Sequence, residues 1–187
     1  MKKEIEKCLE VLNAGGIILY PTDTIWGIGC DATNEKAVAK IFELKSRPEA
    51  KSMIILLDHT TRLTGYIKEV PQQAYELMEL SEQPLTVVLD GAKNLAPNIV
   101  APDGSIGVRI VMDDFCRNLI SRLRKPLVST SANITGEQAP SSFSEVSDKI
   151  KSGVDYIVGL RQNENIINKP STILKVGAGG EIKFIRK

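Results

Sequence analysis

The chain has 187 residues, of which 42% are hydrophobic and 25% charged, and its formal net charge is +1. These values are typical of a globular domain, and they exclude a disordered chain and a global basic field that by itself would indicate nucleic-acid binding. A local basic surface stays open. The sequence contains no apolar run near the ~20 residues of a membrane span, and acidic residues follow the N-terminus closely. We therefore expect a cytoplasmic protein with no membrane contact, folded as one domain over residues 1–187.

The first part of the chain predicts a helix, a strand and a polar turn. Apolar residues from Ile5 to Leu12 recur at helical spacing, and Gly15 is predicted to end this helix. The next apolar residues, 17–20, predict a short buried strand. This strand leads directly into a Pro-Thr-Asp-Thr turn at 21–24.

A second helix is predicted to be capped by Thr33 or Asn34 and to end at the proline after Arg47, because a residue before proline disfavours the helical conformation. Lys45 and Arg47 lie at this helix end, and Lys51 adds a third cation to the same loop. Taken alone, this position favours a solvated pair of cations near a helix C-terminus over a ligand contact.

The rest of the chain alternates strands and helices and ends in a hairpin. Predicted strands occupy 53–57, 85–89, 106–111, 126–128 and 155–158, and predicted helices begin at Pro71, Asp113 and Ser144. A glycine-rich turn at 177–180 joins strands 171–176 and 181–186. This order of elements predicts an α/β fold, a single-domain twisted mixed sheet with flanking helices.

Several common catalytic and metal-binding motifs are absent from the sequence. There is no G-x-x-x-x-G-K-[ST] loop, and a single histidine leaves no basis for a Ser-His-Asp triad or a zinc site. His59 is therefore predicted to be a surface residue. Gly27 and Gly29 lack the third glycine of a dinucleotide fingerprint, so close backbone packing is the favoured reason for both.

Polar residues in the second half of the chain are candidates for a binding site. Arg109 lies inside an apolar strand, where a buried guanidinium needs an anion such as a substrate carboxylate. Ser129, Ser131 and Asn133 directly follow a predicted strand, at the edge where open α/β sheets bind ligands. Serine-rich turns more often bond only to nearby backbone, so both interpretations stay open from these residues alone.

Four motifs in order resemble one family. The P-T-D-T-I-W-G-I-G-C-D-A run, the Lys-x-Arg of L-K-S-R-P, the S-x-N of S-T-S-A-N and the late P-S-T-I are similar to those of the YrdC-like threonylcarbamoyl-AMP synthases. The resemblance runs from about residue 16 to the C-terminus. It implies the short, single-domain form of the fold, with a concave basic cavity. It also implies an enzyme, a nucleotidyltransferase that forms threonylcarbamoyl-AMP and pyrophosphate from L-threonine, bicarbonate or CO2, and ATP, for the threonylcarbamoyladenosine modification of tRNA.

The resemblance also implies site residues in two groups, one for the amino acid and one for the nucleotide. The group around threonine is Thr24, Arg109, Ser129 and Ser171. The group around ATP is Lys45, Arg47, Lys51, Ser105, Ser131, Asn133 and Arg186. Lys45 and Arg47 are expected to be the catalytic residues, because they would neutralise phosphate charge. Mg²⁺ is expected to arrive with ATP, with no tightly bound cofactor and no metal ligands from the protein.

The chain departs from the family pattern at Asp23, Trp26, Ser46, Leu56 and Met112, none of which removes a charge that the chemistry needs. The implied partners are a downstream threonylcarbamoyl-transfer enzyme and tRNA or double-stranded RNA. Two alternatives stay open. One is a non-catalytic RNA-binding or ribosome-associated protein, and the other is a paralogue on the same fold with another substrate.

Overall fold

The computed structural model describes residues 1–46, 53–164 and 170–186. The helices are α1 (Lys2–Asn13), α2 (Glu35–Leu44), α3 (Leu63–Tyr66), α4 (Gln72–Leu80), α5 (Asp114–Leu123) and α6 (Asp148–Gly153). The strands are β1 (Ile18–Tyr20), β2 (Gly27–Gly29), β3 (Ile54–Leu57), β4 (Leu85–Leu89), β5 (Ile106–Ile110), β6 (Leu127–Ser131), β7 (Tyr156–Ile157), β8 (Thr172–Val176) and β9 (Ile182–Arg186). Among these helices, none combines the length and the apolar character that crossing a bilayer requires.

The strands of the described residues form one mixed sheet, in the order β7-β1-β2-β6-β3-β5-β4-β8-β9. The neighbours β1 and β7, β3 and β5, and β4 and β8 run parallel, and the other neighbouring pairs run antiparallel. The predicted α/β class, with a twisted mixed sheet and flanking helices, is confirmed.

Two apolar cores lie on opposite faces of this sheet. One packs α2, α3 and α4 against the sheet, and the other packs α1 and α5. The strands alternate between them: Leu56 belongs to the core with α1 and α5, whereas its neighbours Ile55 and Leu57 belong to the core with α2, α3 and α4. Because successive side chains of a strand point to opposite faces, this alternation assigns each core to one face.

The helix starts show which capping predictions were correct. Asn34, rather than Thr33, caps α2, since its Oδ1 accepts the Ala37 N–H at 3.1 Å. The prediction that Ser144 begins the next helix is wrong, because residues 143–145 form a separate 3₁₀ turn. Val146 then takes an extended conformation, and α6 begins only after Ser147.

Strand β6 is longer than the sequence predicted. It was expected at 126–128, but it continues to Ser131 because its pairing with β3 runs on to Ser129 and β2 pairs with Thr130 and Ser131. Ser129 lies opposite Ile54 of β3, and Ser131 lies opposite Gly27 of β2. The two serines are therefore inside the sheet, and the prediction that they lie beyond a strand end is wrong.

The predicted hairpin of β8 and β9 is confirmed, and it lies at one edge of the sheet. Within the described part of the chain, β9 pairs with β8 alone, and all five of its residues are exposed. Phe184 has 57% of its surface exposed. β9 is thus an edge strand held from one side.

Candidate active site

A cavity of about 250 Å³ opens on the face of the sheet that carries α1 and α5. Strands β4, β5 and β6 contribute Thr86, Arg109 and Ser129 to its wall. Each of these polar residues is next to a residue of the opposite core, as Val108 is next to Arg109. The alternation of side chains therefore places all three on the cavity side of the sheet.

The cavity brings together all four residues that were predicted to surround threonine: Thr24, Arg109, Ser129 and Ser171. They come from four separate segments of the chain. Thr24 lies in the loop after β1, Arg109 in strand β5, Ser129 in strand β6, and Ser171 directly before β8. Ser131 and Arg186, which were predicted for ATP, line the same cavity.

Arg109 is the most deeply buried cation of the cavity wall, with 3% of its surface exposed. Its Nη1 donates to the Thr24 hydroxyl at 3.2 Å, and its Nη2 lies 3.2 Å from Oδ1 of Asp23. The second oxygen of Asp23 accepts the Met112 N–H at 3.0 Å. Arg109 was predicted to need an anion, and a substrate carboxylate was the example given. A protein carboxylate already lies beside the guanidinium.

The contact with Asp23 does not use up the hydrogen-bonding capacity of Arg109. Its Nε and Nη2 are buried and find no hydrogen-bond acceptor in favourable geometry among the described residues. Oδ1 of Asp23 likewise has no donor among them. The two side chains are close enough for charge attraction, but their geometry leaves these donors unsatisfied. A buried guanidinium with unpaired donors favours a further acceptor.

Strand β9 contributes a second arginine, Arg186, to the cavity wall. Its Nε and Nη2 donate to the Ser171 carbonyl at 3.2 and 2.8 Å, and the Ser171 hydroxyl is 2.8 Å from the Thr86 hydroxyl. Although Arg186 as a residue is exposed, its guanidinium is partly buried, and this burial and the nearby charge of Arg109 lower its pKa from the ordinary value. Two cations that repel each other across one cavity both gain when an anion enters between them.

Lys45 is buried, with 1% of its surface exposed, so the interpretation of a solvated helix end is wrong for this residue. Its Nζ donates to the backbone carbonyls of Ser131 and Asn133, and its own carbonyl accepts the Thr135 N–H at 3.0 Å. The end of α2 is therefore joined to the end of β6. Arg47, the other half of the Lys-x-Arg pair, lies outside the described residues, as does Lys51.

Besides Lys45, two further predicted ATP residues, Ser105 and Asn133, do not line the cavity. Ser105 lies in the turn before β5, where its hydroxyl donates to Asp103 Oδ1 at 2.6 Å. The side-chain amide of Asn133 donates to the carbonyls of Ile134 and Glu137 at 3.0 and 2.8 Å. Both side chains are engaged in local turns, although Asn133 lies beside Ser131 through their shared contact with Lys45.

Only one of the two glycines of β2 is required by close packing. A Cβ on Gly29 would lie 2.4 Å from the Val128 carbonyl, so close packing requires glycine there, as predicted. At Gly27 the nearest atoms to such a Cβ are at 3.4 Å, which is ordinary contact. The packing explanation is therefore wrong for Gly27, which instead lines the cavity.

A larger cavity, of about 470 Å³, contains none of the predicted site residues. It lies beyond the ends of β3 and β5 and is lined by Asp58, His59, Glu79 and Arg117, among others. His59 is exposed, as predicted, and its Nδ1 accepts the Thr61 N–H at 3.2 Å. The smaller cavity, with its two arginines and six serine and threonine residues, is the candidate active site.

Comparison with known proteins identifies the family. A model of the Sua5/YciO/YrdC family, described as telomere recombination, matches residues 10–187. The chain belongs to this family. It is similar to a Vibrio campbellii protein named threonylcarbamoyl-AMP synthase, with 31% identity over 174 residues, which are 91% of this chain and 93% of that protein. A Hahella chejuensis protein of the same name is 30% identical over 96% of this chain and 97% of its own length.

Solved structures of the family share the fold. Sua5 of P. abyssi in complex with L-threonine aligns with a TM-score of 0.83 and 26% identity, over 94% of this chain and 51% of Sua5. This chain thus spans about half the length of P. abyssi Sua5. YciO of E. coli aligns with a TM-score of 0.86 over 100% of this chain and 90% of YciO, but at 23% identity it shows the fold alone.

Sequence reasoning missed three residues at the site of this Sua5/YciO/YrdC family member. Thr86 lines the cavity, whereas Asp23 and Thr22 contact residues of its wall. Asp23 was noted only as a departure from the family pattern, although a carboxylate beside a hydroxyl turn was a signal for a buried cation. Thr22, whose hydroxyl is 2.9 Å from that of Thr24, was read only as part of the turn. Thr86 gave no signal, because it is a β-branched residue in a strand.

Proposed function

We propose that this chain is an L-threonylcarbamoyladenylate synthase, which forms threonylcarbamoyl-AMP from L-threonine, bicarbonate and ATP for tRNA modification. The observation that carries the proposal is the meeting of Thr24, Arg109, Ser129 and Ser171 in one cavity. Relatives of about 30% identity that bear this name support it, as does the P. abyssi Sua5 complex with L-threonine.

The cavity suits the amino acid. A volume of about 250 Å³ lies near the lower end for ligand sites, which fits a molecule of eight heavy atoms better than a nucleotide. The threonine carboxylate would bind Arg109 through the donors that lack acceptors, while Asp23 holds the guanidinium in place. The hydroxyls of Thr24, Ser129 and Ser171 would orient the amine and the carbamate that it forms.

The nucleotide would extend from this cavity towards the end of β6. Arg186 and Ser131 already line the wall, and the buried charge of Lys45 lies directly behind Ser131. In this proposal Arg47, Lys51 and Asn133 would complete the phosphate site, and the cavity would then be concave and basic. Ser105 is left out because it bonds to Asp103 and lies outside the cavity wall.

Mg²⁺ would enter as part of the nucleotide substrate. The described residues contain no group of three or more His, Cys, Asp or Glu side chains placed to hold a metal ion. Magnesium often keeps its waters and binds mainly through substrate phosphates, so such a group is not required.

The reaction needs positioning and charge neutralisation rather than a protein nucleophile. The threonine amine forms a bond to the carbon of bicarbonate or CO2, and with bicarbonate one water leaves. An oxygen of the resulting carbamate then attacks the α-phosphorus of ATP, and the bond to the leaving pyrophosphate breaks. Arginine and lysine charges around the phosphates would stabilise the charge that moves onto pyrophosphate. The labile product would pass to a downstream threonylcarbamoyl-transfer enzyme.

The test supplies purified protein with ATP, Mg²⁺, L-threonine and ¹³C-bicarbonate, and detects labelled threonylcarbamoyl-AMP and pyrophosphate by mass spectrometry. Arg109→Met should abolish product, whereas Arg117→Met, which changes an exposed arginine of α5, should not. A folded wild-type protein that makes neither product would refute the proposal. Salt-dependent RNA binding by such a protein would favour the RNA-binding alternative.

A further inference from the structure

The turn between β1 and β2 contains a buried chain of hydroxyl groups that leads to the cavity. Thr22 and Thr24 have 3% and 4% of their surfaces exposed. The Thr22 hydroxyl lies 2.8 Å from the Ile25 carbonyl, 2.9 Å from the Thr24 backbone nitrogen and 2.9 Å from the Thr24 hydroxyl. The Thr24 hydroxyl in turn lies 3.2 Å from Nη1 of Arg109.

The partners of Thr22 fix which group donates and which accepts in this row of hydroxyl groups. A carbonyl oxygen only accepts, so the single proton of the Thr22 hydroxyl goes to Ile25. Both lone pairs of that oxygen then accept, one from the Thr24 N–H and one from the Thr24 O–H. The proton of the Thr24 hydroxyl is therefore directed away from the cavity.

The contact with Arg109 also orients the Thr24 hydroxyl. A guanidinium only donates, so the Thr24 oxygen accepts from Nη1. A hydroxyl oxygen has two acceptor positions, and one is left. Thr24 lines the cavity, and towards a ligand it is an acceptor without a free proton.

We propose that Thr22 is a positioning residue that sets the Thr24 hydroxyl as an acceptor and so selects a nitrogen donor, the amine of an α-amino acid, at this point of the cavity. This inference rests on the proposed function and adds to it a reason for discrimination. A 2-oxo acid has the same carboxylate but presents a carbonyl oxygen in place of the amine. Two acceptors would then face each other in a buried site, which disfavours binding.

The test compares the affinities of L-2-aminobutyrate and 2-oxobutyrate, which differ only at this position, by isothermal titration calorimetry. Wild-type protein should prefer the amino acid by at least about tenfold. Thr22→Ser keeps the hydroxyl and should keep that ratio. Thr22→Val frees the Thr24 proton to point into the cavity, so the ratio should fall at least about fivefold. Thr64→Val, a change at an exposed threonine of α3, is the matched control.

Each outcome bears on the inference. An unchanged ratio in folded Thr22→Val would overturn it. If that variant does not fold, Thr24→Val decides. It should lower the affinity for aminobutyrate and leave the affinity for oxobutyrate unchanged. An equal loss of affinity for both acids would overturn the inference. Wild-type protein that makes threonylcarbamoyl-AMP but binds both acids equally refutes only the inference. Protein that binds neither the acids nor threonine refutes the proposed function.

Discussion

Lys45 gives a sharp test because the two views of its role predict different measurements. As a phosphate ligand alone, it could be replaced with little effect on folding. In the structure its ammonium donates to the carbonyls of Ser131 and Asn133 and joins α2 to β6. Lys45→Met keeps most of the side-chain volume and removes the ammonium that donates both hydrogen bonds, so we expect the fold itself to lose stability.

The size of the loss follows from the two carbonyls. An acceptor left unsatisfied in a buried position costs about 1–3 kcal/mol. Ser131 and Asn133 are both partly exposed, so water would compensate in part, and we expect a total loss of about 2–4 kcal/mol. For a chain of this length, each kcal/mol lowers Tm by about 2–4 °C, which gives a decrease of roughly 5–15 °C.

Differential scanning calorimetry and urea denaturation would measure this effect. Lys36→Met, at an exposed lysine on the same helix, is the matched control and should change stability by no more than about 0.5 kcal/mol. If Lys45→Met were no less stable than Lys36→Met, the hydrogen bonds of Lys45 to β6 would not contribute to folding and the reasoning would be refuted. ATP affinity, measured on the folded fraction, then tests the proposed phosphate role separately.

Three further predictions concern charged side chains, two of the cavity wall and one at the start of α5. Arg109→Lys should weaken L-threonine binding at least about tenfold in calorimetry, because lysine cannot form a two-pronged contact with a carboxylate; equal loss in Arg117→Lys would contradict this. Arg186→Gln should lower ATP affinity most at low salt, and an effect independent of ionic strength would argue against a charge contact. Burial raises the pKa of the Asp113 carboxyl above its ordinary value. Because a folded-state pKa above the unfolded one makes stability fall as pH rises through that interval, Asp113→Asn should raise Tm more at pH 7 than at pH 4. An equal change at both pH values would show that ionisation of Asp113 does not destabilise the fold.

Features that depend on neighbouring residues, such as helix caps, could be predicted from the sequence. Features that depend on pairing between strands distant in the chain could not. The Asp113 cap is confirmed, since its oxygen accepts the Cys116 N–H three residues away at 2.9 Å. The extent of β6 could not be read locally, because β2 and β3, far apart in the chain, pair with Ser131 and Ser129 and extend the strand. The burial of Lys45 has the same cause.

The position of β9 at the sheet edge has a consequence for the order in which the site forms. β9 pairs with β8 alone among the described strands, so it can separate from the sheet without disturbing either apolar core. Such local openings require less free energy than global unfolding, and amide hydrogen exchange reports them. Arg186, on this strand, would then leave the cavity at each opening while Arg109 stays in the centre of the sheet. An anion held by both arginines should therefore slow exchange at the amides of β9 far more than at those of β5.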